Sequence, residues 1–192
     1  MVGTAAQSRL RRWIAVSLTT VVATGCGDDG SSAKDAPTPT RSSPSVSRST
    51  APPADPVAEG TRAALAAYRG MWAAFVAASN SGATNPPALV EYTGGSALPV
   101  LNRGLTANKA KALVSKGNPT ISPKLTSIGP LKAPTSATIL DCVDDTRWLL
   151  YRSDGRLADD VPGGRSRANA TVERVGERWK VTSFALQGPG TC

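Results

Sequence analysis

Residues 27–54 hold a single large apolar side chain, Val46, among Ser, Thr, Pro, Ala, Gly and scattered charges. A segment of that composition cannot bury enough surface to offset the entropy of ordering it, so it is expected to be a disordered tether. Whatever folds must then come from residues 55–192, a single-domain length with enough chain for a core. Coil scaling gives the tether an r.m.s. reach on the order of 30 Å, more where Pro stiffens it.

What precedes the tether is an export signal. Arg9, Arg11 and Arg12 open residues 1–25, an uncharged and mostly apolar run follows at 13–22, and Ala23-Thr24-Gly25 abut Cys26. The apolar run is about half the ~20 residues a membrane span needs, which suits a signal peptide. Ala23-Thr24-Gly25-Cys26 resembles the lipobox of bacterial lipoproteins, with Ala23 where most have Leu. That resemblance implies cleavage before Cys26 and lipid on its sulfur and amine. Two or more acyl chains anchor stably where one is marginal. The expected location is the outer face of the cytoplasmic membrane, with Cys26 at position one of residues 26–54.

Charge and cysteine usage agree with that compartment. The chain has 22 basic and 14 acidic residues, a formal +8, and three of the cations sit in the leader. The remaining basic residues read as scattered along the domain, so nucleic acid is not an expected partner; anionic lipid or wall polymer suits the excess charge better. With Cys26 lipidated, Cys142 and Cys192 are an even pair in an oxidising setting and read as a structural disulfide. A C-x-x-C redox motif is absent.

Within residues 55–192, Asp55-Pro56 reads as a helix N-cap followed by Pro at the first helical position. Val57, Thr61, Leu65, Tyr68, Trp72, Phe75, Val76 and Ser79 recur at three- and four-residue steps, one stripe of an amphipathic helix that Asn80-Ser81-Gly82 ends. A short helix is expected from Asn85-Pro86-Pro87 to Tyr92, and a third over residues 96–109. After Gly117, alternation replaces the helical period. Strands are expected at 120–128, with Pro123 confining it to an edge or bulge, and at 135–143, 148–151, 165–175 and 178–186. Gly176-Glu177 joins the last two as a hairpin. Helices followed by an antiparallel sheet of four to five strands make the class α+β.

The phrases Ala67-Tyr68-Arg69-Gly70-Met71-Trp72, Ile139-Leu140-Asp141-Cys142-Val143-Asp144-Asp145 and Trp179-Lys180-Val181-Thr182 look like those of uncharacterised secreted lipoproteins of actinobacteria. The element order resembles the nuclear-transport-factor-2-like superfamily. That resemblance covers about residues 56–192 and implies N-terminal helices packed on a curved sheet, a cone-shaped α+β domain. Enzymes of this superfamily often work with an Asp and a Tyr in an apolar pocket, which makes Asp141 and Tyr68 the candidate catalytic pair here.

The residues themselves offer little chemistry. The sequence has no histidine, so Ser-His-Asp and Cys-His constellations and the common His-containing zinc sites are excluded. Gly94-Gly95 and Gly163-Gly164 lack the strand-loop-helix spacing of a phosphate loop and read as chain reversals, so no cofactor is expected. Asp141, Asp144 and Asp145 form the one acidic cluster. It has no EF-hand spacing, its last two members have turn chemistry that Arg147 can pair, and no metal is assigned to it. Tyr68, Trp72, Phe75, Trp148 and Phe184 are placed either along the concave face of the sheet as a pocket for an apolar ligand or in the core itself. The leading expectation is a non-catalytic binding or scaffold module of the cell envelope, its partner an envelope protein, wall polymer or apolar ligand. The alternatives are an isomerase, cyclase or dehydratase of the cone fold using Asp141 and Tyr68, and a carrier of a small apolar molecule.

Overall fold

The computed structural model describes residues 55–159 and 163–192; the leader, Cys26 and the tether assigned to residues 1–54 lie outside the described residues. Helix α1, Pro56–Ser81, begins where its cap chemistry places it. The Asp55 carboxylate accepts from the Val57 N–H at 3.0 Å, and Pro56 occupies a position whose N–H has no helical partner. It stops at Gly82, whose φ of 69° turns the chain so that Ala83 N–H reaches Ala78 O at 2.9 Å. Helices α2, Pro87–Tyr92, and α3, Ala97–Ala110, follow.

Among the described residues six strands follow: β1 Leu113–Gly117, β2 Lys124–Gly129, β3 Ser136–Asp144, β4 Trp148–Arg152, β5 Arg165–Val175 and β6 Arg178–Pro189. The main sheet is antiparallel in the order β2-β3-β5-β6, and β1 pairs with β4 in a separate two-stranded sheet. The fold is α+β, helices against antiparallel strands. Register shifts within β2–β3 and twice within β5–β6 are bulges, which bend strands and sharpen their twist. Two details differ from the sequence expectation. The strand expected at 120–128 starts only at Lys124, after Pro123, which has no N–H to give a ladder; Thr120 makes a lone bridge to Asp144 instead. And β4 does not join the main sheet, because it pairs with β1, a strand that carries no turn signal ahead of it. The chain enters β1 through Ala112 at φ 54°, a left-handed conformation that no Gly or Asn announces.

The core lies between α1 and the main sheet. On β3, Ala137, Ile139, Asp141 and Val143 point inward, and β5 answers with Ala168, Ala170 and Val172. Small residues let the helix come close: a Cβ on Gly60 would meet Pro134 Cβ at 2.9 Å, and one on Gly70 would enter the Tyr92 ring of α2. Gly94-Gly95 do more than reverse the chain. Gly94 N–H donates to Val181 O at 2.9 Å, while Gly95, at φ 48°, lies so close to β6 that a Cβ there would stand 2.6 Å from Thr182 O. The link between α2 and α3 thus covers part of the β6 edge, including a parallel bridge from Thr93 to Val181.

Candidate functional site

Helical spacing and strand alternation, acting independently, bring Tyr68 and Asp141 together. Tyr68 lies on the buried stripe of α1, and Asp141 occupies one of the inward positions of β3. The Tyr68 hydroxyl donates to Asp141 Oδ2 at 3.0 Å, and Ser122 N–H donates to Oδ1 at 2.7 Å. Tyr68 is fully buried and Asp141 is 3% exposed. Burial pushes the Tyr68 phenol well above the ordinary tyrosine range; the Trp72 indole opposes that shift, and the Asp141 carboxylate adds to it. Trp72 Nε1 is itself buried without a partner in hydrogen-bond geometry. Chemically the pair is a neutral phenol donating to a buried carboxylate.

Beside it stands an aromatic cluster with Trp72 at its hub. Ring centroids lie 6.1 Å to Phe75, 6.2 Å to Trp148 and 5.7 Å to Phe184, all edge-to-face, and Phe75 and Trp148 meet at 5.9 Å. This is the geometry that ring quadrupoles favour, and each such pair adds about 0.5–1.5 kcal/mol beyond its buried area. The five aromatics named from sequence therefore do not line one open cavity. Four interlock, and Tyr68 turns to Asp141. Open space lies on the other flank of α1, a cleft of about 360 Å³ whose walls include Arg69, Trp72, Val76, Asn80, Pro119 and Ile121. It is mostly apolar, with one cation, Arg69, and two amides, Asn80 and Asn118, in its lining.

Asn80 is a residue that sequence reasoning missed, having read it only as a helix end. Its amide donates to Gly117 O at 2.9 Å and its carbonyl accepts from Trp148 Nε1 at 3.1 Å, tying α1 to both β1 and β4. The hydroxyl of the preceding residue, Ser79, meets that of Ser115 at 2.6 Å, buried. No signal distinguishes this clamp from ordinary Asn-Ser-Gly capping chemistry.

The acidic cluster does not converge. Asp141 faces the core, Asp144 accepts from Thr146 N and Oγ1 at 3.1 and 2.6 Å, and Asp145 accepts from Gly164 N–H. Hydrogen bonds from Thr146 hold the Asp144 carboxyl below its usual range, with Arg165 and Arg147 assisting. Cys142 and Cys192 are joined, with their Cα atoms 6.0 Å apart.

Fold and site thus define an α+β domain with a packed aromatic centre, a buried Tyr–Asp contact and an apolar cleft. Neither a protein-family model nor a curated protein matches the chain. Among solved structures, the intermembrane space region of the chloroplast protein ARC6 matches with a TM-score of 0.47 at 13% identity, covering 66% of this chain and 95% of that one. A protein described as an aromatic ring hydroxylase from Novosphingobium aromaticivorans gives 0.45 at 14% identity, covering 67% and 90%. One described as a scytalone dehydratase from the same organism gives 0.39 at 14%, covering 70% and 98%. Likenesses at this level do not carry an activity to this chain.

Proposed function

We propose that this is a lipid-anchored binding module of the cell envelope, of the nuclear-transport-factor-2-like type, that holds its partner without transforming it. The observation that carries the reading is the closed centre of the domain. The hydroxyl and the carboxylate a cone-fold enzyme would use are buried and bonded to each other, and Trp72 packs edge-on against three aromatic neighbours where a substrate would sit. The cleft beside Trp72 is the surface offered to an apolar ligand or an envelope protein. Its volume is at the small end of ligand sites, about 300–1,000 Å³. Cys26, as first mature residue, anchors the protein on the outer face of the cytoplasmic membrane, and the tether holds the domain away from the head groups.

The Tyr68–Asp141 contact favours one second reading, an isomerase, cyclase or dehydratase in which the carboxylate takes a proton and the phenol polarises an oxygen. It requires Trp72 to move aside.

Two experiments test the proposal. Replacing Cys26→Ala should release the protein from membranes; undiminished membrane attachment would remove the anchor. Mass spectrometry of lipids and proteins that co-purify with the detergent-extracted native protein should recover a partner that is lost on Ala73→Trp, a change in the cleft wall between Trp72 and Val76 that fills the space. A partner retained by that variant excludes the cleft as the binding surface.

A further inference from the structure

The basic residues that look scattered along the chain are gathered by strand register. Lys124 on β2 stands opposite Leu140, and on β5 Arg167 stands opposite Cys142 and Arg165 opposite Asp144. Leu140, Cys142 and Asp144 alternate with the buried Ile139, Asp141 and Val143, so this whole row faces away from α1. The three cations border a pocket of about 260 Å³ with Leu140 in its lining and the Cys142–Cys192 disulfide along one side. The terminal residues are fastened there as a wall: Gly190 N–H donates to Arg165 O at 2.9 Å, and Arg167 N–H donates to Thr191 Oγ1 at 2.8 Å.

These cations form no close ion pair, although Arg165 lies near enough to Asp144 to help hold its carboxyl low. Among the described residues the one ion pair is Arg156–Asp154, and neither a hydrogen bond nor an ion pair engages the Lys124 ammonium or the Arg165 and Arg167 guanidinium groups. Asp144 stands opposite Arg165 across the β3–β5 ladder, and its carboxylate accepts from Thr146 N–H and Oγ1. Asp141 also reaches the pocket lining, where one oxygen accepts from Tyr68 on the inner side and the other from the N–H of Ser122, which lines the same pocket. Like charges on neighbouring strand positions repel, and Lys124, Arg165 and Arg167 together leave this face with positive potential that Asp144 offsets only in part.

We propose that this pocket is an anion site whose ligand is a phosphate group carrying a small organic substituent. Guanidinium forks match phosphate oxygens two at a time, and the ammonium adds a point charge on the third side. The half-covered Leu140 and the disulfide offer apolar contact to the substituent. The volume admits a headgroup-sized molecule and is below that of drug-sized ligands. The site lies on the opposite face of the sheet from α1, so it stands or falls independently of the cleft beside Trp72. Two sources share this chemistry, a soluble phosphate ester and a phospholipid headgroup.

The test titrates the detergent-solubilised full chain with inorganic phosphate and with glycerol phosphate by calorimetry, and measures co-sedimentation with phosphatidylglycerol and phosphatidylcholine vesicles. Saturable binding is expected that Arg167→Gln and Lys124→Gln each weaken about tenfold, with circular dichroism unchanged. Arg103→Gln, an exposed cation on α3, should leave binding within about twofold and serves as the control for diffuse charge. Binding of glycerol phosphate assigns a soluble ester; saturation by phosphatidylglycerol vesicles alone assigns a headgroup. The proposal is overturned if none of the probes binds, or if Arg103→Gln weakens binding as much as Arg167→Gln does.

Discussion

The Tyr68 hydroxyl donates to Asp141 Oδ2 at 3.0 Å across 73 residues of sequence, and this buried bond joins the first helix to the centre of the sheet. A buried carboxylate keeps its charge only if donors replace its hydration. Here Tyr68 and the Ser122 backbone supply them. Tyr68→Phe removes one donor and leaves the ring in place. Chemical denaturation should show a loss of about 1.5–3 kcal/mol, the range for hydrogen bonds to charged groups. A change under 0.5 kcal/mol would mean the carboxylate has another donor. The same variant bears on the enzyme reading, since a structural pair costs stability without any activity to lose.

Alkaline pH tests the same residue from its other side. The folded Tyr68 pKa lies above the unfolded value of about 10. Its contribution to stability is therefore complete below pH 10. As pH rises past that value the unfolded chain gives up a proton the folded chain keeps, so stability declines by up to about 1.4 kcal/mol per pH unit until the folded pKa is reached. Stability of wild type and Tyr68→Phe should converge as pH is taken from 9 to 11. In an ultraviolet titration one of the three tyrosines should resist ionisation until the protein unfolds. Three normally titrating tyrosines in folded protein would contradict the burial.

Helix α1 holds a glycine whose replacement should go against intrinsic propensity. Ala in place of a helical Gly ordinarily stabilises by about 1 kcal/mol. At Gly70, however, the new Cβ would enter the Tyr92 ring, which packs α2 on α1. Overpacking of this kind costs about 1–3 kcal/mol, so Gly70→Ala should lower the melting temperature instead of raising it. Gly104→Ala on α3, where a Cβ would have its nearest neighbour, Phe75 Cζ, at 3.9 Å, is the control and should be neutral or stabilising.

How much of this was legible in the sequence follows from the range of each signal. Local chemistry marked α1 from Asp55 to Gly82, the inward row of β3 and the hairpin at Gly176, because caps, alternation and turn residues act within a few positions. Strand β1 escaped because its entry turn uses Ala112 in a conformation no residue type announces. Pairings across the chain were harder. The double role of Asn80, the edge-on packing of Phe75, Trp148 and Phe184 around Trp72, and the meeting of Lys124 with Arg165 and Arg167 all depend on register and tertiary placement. Periodicity tells which face a residue is on, and three-dimensional assembly decides who shares that face.

The last prediction concerns the bond that pins the end of the chain. Cys142 and Cys192 are 50 residues apart, and the segment they enclose contains β4, β5 and β6. Closing a loop of that length removes unfolded-state entropy worth about 4 kcal/mol in the chain-entropy model. Beyond the bond itself, residues 190–192 are held by two further contacts, Gly190 N–H to Arg165 O and Arg167 N–H to Thr191 Oγ1. Cys192→Ser should therefore destabilise the domain by about 2–4 kcal/mol and raise hydrogen exchange at Gly190 and Arg167, while amides in the β3–β5 ladder lose protection only to the extent that global stability falls. Cys142→Ser should cost the same amount, because either change opens the same loop. Equal stability with and without reductant would show that packing at the end of β6 holds the chain end unaided.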